Sequence, residues 1–178
     1  EWTEELNDNL IAYYPFNETT GRLVNNEANG DFMNLSIIGT EPNWVTGLIG
    51  RGIRPVGNNK ADTGFDTANI GTGGSMTFNF WVNEQSESAN GPILQTGNNG
   101  GSDNEFIFFW SSGKLYINVL DDSLTKNIPL SLPLNSWQMI TVILNSTAST
   151  VYWNGTLHDK KELTNFDFNS DYNLHLFD

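Results

Sequence analysis

Two groups of side chains in this sequence carry the oxygen atoms and aromatic rings that ligand binding requires. In the first, Asn25, Glu27, Asn29 and Asp31 alternate along one short segment. Calcium prefers six to eight oxygen ligands from carboxylates and carbonyls, so Asn25, Asn29 and Asp31 are candidate metal ligands. Their spacing differs from that of an EF-hand loop. Acidic, Asn-rich turns are also commonly just solvated, and that alternative stays open.

The second group could bind a sugar. A pyranose needs an aromatic ring for its apolar face and amides or carboxylates for its hydroxyls. Trp110 and Trp153 lie near predicted strand ends, and Asp103 and Asn104 belong to the Gly- and Asn-rich loop QTGNNGGSDN. These four residues are the candidate ligand-binding set. Packing is the alternative for both tryptophans, and for Trp153 it is the favoured interpretation.

The sequence offers little for catalysis. A glycosidase needs two carboxyl groups that flank one glycosidic bond, and no predicted strand carries alternating acids. Glu105 is followed by FIFFW, without a second acid. His158 and Asp159 are neighbours on a predicted strand, so their side chains point to opposite faces and form no direct relay. The sequence therefore predicts a protein that is not an enzyme.

Composition restricts the partners. Lys and Arg total 8 against 21 Asp and Glu, which gives a formal net charge of −13. Nucleic acid is excluded as a partner because phosphate binding needs a basic face. No apolar run reaches the roughly 20 residues of a membrane span, so membrane insertion is not expected. Cysteine is absent, which excludes disulfides and thiolate metal sites.

Period-two hydrophobicity, interrupted by Gly, Asn, Asp and Pro, predicts about a dozen short strands and little or no helix. Such spacing is typical of a two-sheet antiparallel sandwich, here one domain over residues 1–178. Asn154-Gly155 predicts a type I′ turn that joins two strands and places Trp153 at the hairpin tip. The predicted strands are 10–16, 35–38, 52–56, 76–83, 92–96, 105–110, 114–119, 127–130, 137–144, 150–153, 156–161 and 173–177.

Several phrases, in order along the chain, resemble one known family. They are LIAYYPFNETTG with NNEANGDFMNLSI, then WVTGLIGRGIRPVG, SMTFNFWVN and NSWQMITVILNSTASTVYWNGTLHD. Together they look like the LamG-like jelly-roll domains of the concanavalin A-like lectin/glucanase superfamily. The resemblance implies a jelly-roll sandwich and places Trp81 and Trp137 in the core. It also implies a structural calcium at the early turn.

The same resemblance raises two further expectations. Family members usually end with a further strand phrase, so the domain is expected either to lack its final strand or to close that sheet with another segment. In function, the family implies a non-catalytic, extracellular or cell-surface recognition module that binds a glycan or a cell-surface or matrix protein. One alternative is a structural subunit of an adhesin, surface filament or virus particle that self-assembles through an open sheet edge. Another is a glycoside hydrolase or polysaccharide lyase.

Overall fold

The structure is a computed structural model that divides into two compact units, each considered separately below. One unit comprises Glu1–Phe65 with His175–Asp178, and the other comprises Asp66–Leu174. Whether the chain acts as one domain over residues 1–178 stays a prediction. The structure describes residues 9–28, 34–57, 59–70, 73–87, 90–96, 105–121, 124–164, 166–168 and 173–177.

The first unit is built from short antiparallel strands. β1 (Leu23–Val24), β2 (Leu35–Ile38) and β5 (Lys60–Asp66) pair side by side, whereas β3 (Asn43–Thr46) and β4 (Arg51–Arg54) form a separate hairpin. Their alternating side chains bury a small apolar core, as period-two strands do. The buried members are Val24, Leu35, Ile37 and Ala61, against which Tyr14, Phe16, Trp44, Ile53 and Leu176 pack.

The strand predicted at residues 10–16 is wrong, because this segment is irregular. Pro15 has no backbone N–H, and Phe16 has a left-handed φ of 54°, which ends any extended run. Instead, the backbone N–H of Tyr13 donates to Asn26 Oδ1 at 2.9 Å, and the N–H of Glu27 donates to the Tyr13 carbonyl at 2.9 Å. The segment is therefore held by single hydrogen bonds rather than by a ladder.

The second unit begins with a 3-10 turn at Thr67–Ile70, which is followed, among the described residues, by eight strands. They are β6 (Ser75–Val82), β7 (Gly91–Thr96), β8 (Phe106–Ser111), β9 (Lys114–Asp121), β10 (Leu124–Leu130), β11 (Gln138–Asn145), β12 (Ala148–Trp153) and β13 (Thr156–Glu162). The last described strand of the chain is β14 (Asn173–Leu176).

Two antiparallel sheets form the second unit. In one, β6, β11, β12 and β13 are neighbours in that order; in the other, β7, β8, β9 and β10 follow chain order. Their inner faces meet through aromatic rings: the ring centroid of Phe78 lies 5.1 Å from that of Phe106 and 5.2 Å from that of Phe108. The predicted antiparallel sandwich is confirmed, since two sheets bury their apolar faces against each other.

The hairpin β12–β13 contains the predicted tight turn. Asn154 and Gly155 have φ values of 50° and 79°, and Trp153 pairs with Thr156 across them. Positive φ at both central residues is the type I′ requirement, so this prediction is confirmed. A register shift between Val151 and Tyr152 marks a bulge in the pairing with β13. β13 is the edge strand of its sheet.

Candidate functional site

Trp110, one of the candidate sugar-binding residues, faces the core. It lies on β8, whose side chains alternate between buried and half-buried, and it is 7% exposed. Its ring packs inside the second unit rather than at the surface. Asp103 and Asn104, the polar partners proposed with it, lie outside the described residues.

Trp153 is half-buried and held at the hairpin tip by hydrogen bonds. Its Nε1 donates to Oε1 of the buried Gln138 at 2.7 Å. The same oxygen accepts from Asn154 Nδ2 at 2.8 Å, and the indole meets the imidazole of His158 edge-on at 6.1 Å between centroids. The ring therefore fixes the turn onto β11, and packing accounts for its position.

Of the candidate calcium ligands, Asn25 is the one that the structure describes; Asn29 and Asp31 lie outside the described residues. The backbone N–H of Asn25 and its Nδ2 both donate to Glu18 Oε1, at 2.8 and 3.1 Å. Glu18 Oε2 is buried and has no hydrogen-bond partner. A buried carboxylate oxygen without a donor suits a hard cation. Within the described ranges, however, no group of three or more acidic or histidine side chains converges on one point.

A surface that the sequence analysis did not propose lies on the side of β6, β11, β12 and β13 that points away from the core. Trp81 on β6 is 44% exposed there, so the expectation that it belongs to the core is wrong. Trp137, expected in the core as well, is half-buried. We call this surface the outer face. The name covers Thr77, Asn79, Trp81, Met139, Thr141, Ile143, Thr150, Tyr152, Leu157 and Lys160. A further row on the same side, Ser75, Asn145, Ala148 and Glu162, borders it and adds one acidic side chain.

Strand register arranges the outer face in rows, because directly paired residues project to the same side of a sheet. The first row joins Trp81 to Met139. The second, central row runs Asn79, Thr141, Tyr152 and Leu157, and the third runs Thr77, Ile143, Thr150 and Lys160. With strands about 4.8 Å apart, a row of four spans about 14 Å.

The central row combines hydrogen-bonding groups with apolar surface. Thr141 Oγ1 donates to Asn79 Oδ1 at 3.2 Å, which leaves the Asn79 amide nitrogen as a donor and the Thr141 oxygen as an acceptor. Leu157 at the other end is 56% exposed. The outer face therefore presents an exposed indole beside adjacent donor and acceptor groups, the combination that a sugar's apolar face and hydroxyls require.

Charge on this sheet is confined to β13 and is internally paired. Lys160 Nζ, on the outer face, lies 2.7 Å from Glu162 Oε1. Lys161 Nζ lies 2.8 Å from Asp159 Oδ2, and this hydrogen bond lowers the pKa of the Asp159 carboxyl. The remaining outer-face residues include no Asp, Glu, Lys, Arg or His.

The sequence contained the signal for Trp81. In MTFNFWVN, alternation places Trp81 on the same side as Thr77 and Asn79, opposite the buried Met76 and Phe78. A large aromatic residue on the polar side of a period-two strand indicates an exposed side chain. The family resemblance implies a core position instead, and for this tryptophan that implication is wrong.

Comparison with known protein families identifies the chain's class. The chain matches the Laminin_G_3 model, described as the concanavalin A-like lectin/glucanases superfamily, over residues 57–176. The match covers more than half of the chain, which therefore belongs to this family, and the LamG-like resemblance is confirmed. No curated protein matches the chain significantly.

Solved structures with a similar fold include binding domains of toxins. A botulinum neurotoxin type C structure, described as showing cell entry dependent on two ganglioside molecules, has a TM-score of 0.66 and 14% identity, and covers 97% of this chain and 43% of that one. The binding domain of botulinum neurotoxin DC in complex with rat synaptotagmin II has a TM-score of 0.57 at 14% identity, with 90% and 44% covered. The chain thus spans less than half the length of these neurotoxin chains.

A third similar structure belongs to a carbohydrate-active protein. It is domain 4 of AbnA, a GH43 extracellular arabinanase from Geobacillus stearothermophilus, in complex with arabinotriose. The TM-score is 0.63 at 15% identity, with 85% of this chain and 76% of that one covered. At such identities the similarity shows the shared fold.

The described part of the chain contains no helix of the length and hydropathy needed to cross a membrane.

Proposed function

We propose that this protein is a non-catalytic carbohydrate-binding module and that its glycan binds on the outer face. One observation carries the proposal: the indole of Trp81 is 44% exposed in the row beside Asn79 and Thr141, whose amide and hydroxyl are already hydrogen-bonded to each other. Stacking on the indole removes apolar surface from water, and the polar pair satisfies ring hydroxyls.

The fold neighbours support this class of function. The description of one names gangliosides for a protein of which the matched part covers 43%, and that of another names arabinotriose in complex with a domain covered to 76%. These descriptions support a glycan as the ligand class. We extend the proposal to an extracellular or cell-surface location, where such glycans occur, and to glycans or cell-surface proteins as partners. Self-assembly through a sheet edge and a structural calcium near Glu18 and Asn25 stay separate proposals.

The test is binding to a glycan array, followed by calorimetric titration of the best ligand. Trp81→Ala should raise the dissociation constant about tenfold or more, because loss of a buried aromatic contact costs about 1.5 kcal/mol or more. Ile49→Ser is the matched control, since Ile49 is 77% exposed at the turn between β3 and β4. Undiminished binding by Trp81→Ala would refute the site, and an array without signal would refute the function.

A further inference from the structure

The outer face is uncharged over most of its area, and this restricts the kind of glycan it accepts. Building on the proposed function, we propose that the ligand is a short neutral oligosaccharide and that sialylated, uronic-acid and sulfated glycans are rejected. The feature that points to this class is the central row Asn79–Thr141–Tyr152–Leu157, which contains no Asp, Glu, Lys, Arg or His.

The hydrogen-bonding groups match hydroxyls rather than carboxylates. A sugar hydroxyl both donates and accepts, whereas an ionised carboxylate only accepts. The bonded pair Asn79 and Thr141 offers both roles side by side, because the amide nitrogen donates and the threonine oxygen accepts. A carboxylate placed over this pair could accept from Asn79 Nδ2, but it has no proton to donate to Thr141 Oγ1 or Asn79 Oδ1, so one half of the pair would face it with acceptor oxygens.

The ammonium group that could bind an anionic sugar already pairs with a carboxylate. Lys160 is the one basic residue of the outer face, at the end of the third row, and its ammonium lies 2.7 Å from Glu162 Oε1. Lys161, the next residue, is paired with Asp159 at 2.8 Å. An anionic group would therefore have to compete with a carboxylate for this ammonium group.

The charge of the whole chain acts in the same direction. With a formal net charge of −13, the protein repels anionic ligands at long range and slows their encounter, while neutral ligands are unaffected. The width of about 14 Å across the four strands suits a short oligosaccharide that lies across them, with one ring on Trp81 and its far end toward Leu157.

Matched pairs of glycans test this inference directly. The wild-type protein is titrated with neutral oligosaccharides and with their charged counterparts: lactose against sialyllactose, a galactan fragment against an oligogalacturonide, and a xylan fragment with and without glucuronic acid. We expect a neutral member to bind, its charged counterpart to bind about tenfold more weakly or worse, and the neutral binding to be insensitive to ionic strength. Trp81→Ala should weaken binding of the neutral member, while Ile49→Ser, outside the outer face, should not.

The outcomes separate the two proposals. If a charged member binds as well as or better than its neutral counterpart and Trp81→Ala weakens that binding, the inference of neutral specificity is overturned while the carbohydrate-binding function stands. Loss of that binding in Lys160→Met would identify the ammonium responsible. If no member of any pair and no array glycan binds, the proposed function fails and this inference fails with it.

Discussion

The side-chain oxygen of Gln138 accepts hydrogen bonds from both Trp153 Nε1 and Asn154 Nδ2, so one buried amide joins β11 to the tip of the next hairpin. Its own Nε2 donates to Ser136 Oγ at 2.9 Å. Both polar atoms of the Gln138 side chain therefore have partners, and the turn is fixed to β11, one of the two inner strands of its sheet.

Replacing Gln138 by leucine should destabilise the protein by about 1–3 kcal/mol, because the buried indole N–H loses its acceptor. Urea denaturation measures the change in the free energy of unfolding. Trp153→Phe is the control: it removes the donor and leaves Gln138 bonded to Asn154, so its effect should be smaller. Equal stability of wild type and Gln138→Leu would show that this hydrogen bond contributes nothing net.

Asp159 should make the free energy of unfolding depend weakly on pH in the acidic range. Its folded pKa is lowered, chiefly by the hydrogen bond from Lys161, so the pair stabilises the native state above the carboxyl's ordinary pKa and loses that contribution as pH falls through the folded pKa. Lys161→Met should cost below about 1 kcal/mol at neutral pH, since the pair is solvent-exposed, and nothing in strong acid. Urea midpoints at several pH values provide the measurement, with Lys160→Met as the matched variant. A deficit that persists unchanged in acid would contradict the assignment.

Tyr14 should make stability depend on pH in the alkaline range, where stability falls as pH rises. Burial raises the pKa of its phenol from 10.0 to about 12, because the charged form loses hydration in the core of the first unit. The stabilisation is complete below the unfolded pKa and is lost as pH rises through the folded value. Alkaline unfolding followed by tyrosinate absorbance should therefore be less steep in Tyr14→Phe than in wild type. Equal pH dependence of stability in Tyr14→Phe and in wild type would refute the prediction.

If the early loop holds calcium, Glu18 is the described residue best placed to contribute, since its Oε2 is buried without a partner. Added calcium should then raise the melting temperature of wild type, with about 2.7 kcal/mol of stabilisation at a concentration 100 times the dissociation constant. Glu18→Gln should abolish that rise, whereas Glu41→Gln should keep it. A melting temperature of the wild type that is indifferent to calcium and to chelator would exclude the metal.

Local sequence signals predicted the second unit well. Alternation in β6 and the Asn154-Gly155 turn have local causes, and the structure confirms both. The apolar runs of β8 and β11 also form strands, as predicted. The first unit was harder to predict. In β5, the sequence KADTGFD carries charged residues and glycine that strands usually avoid, yet its alternate residues are buried. Tertiary pairing with β2 determines its structure.

The candidate site was less predictable because it depends on cross-strand neighbours. Trp81 faces Met139, and Asn79 faces Thr141, which are about 60 positions further along the chain. Period two places each side chain on one of two faces, but it does not say which strands lie beside each other. Trp110, by contrast, was assigned to the candidate ligand set from its position near a strand end, and packing buries it.

The bulge in the pairing of β13, the edge strand of its sheet, affects how two molecules of this protein associate. Four consecutive residues of that strand, Asp159 to Glu162, are charged, and the irregular register beside Tyr152 twists the backbone there. A strand of another molecule that paired with β13 would have to desolvate those charges and match an irregular backbone. Pairing of further strands along this edge is thereby opposed, which leaves the neighbouring outer face accessible.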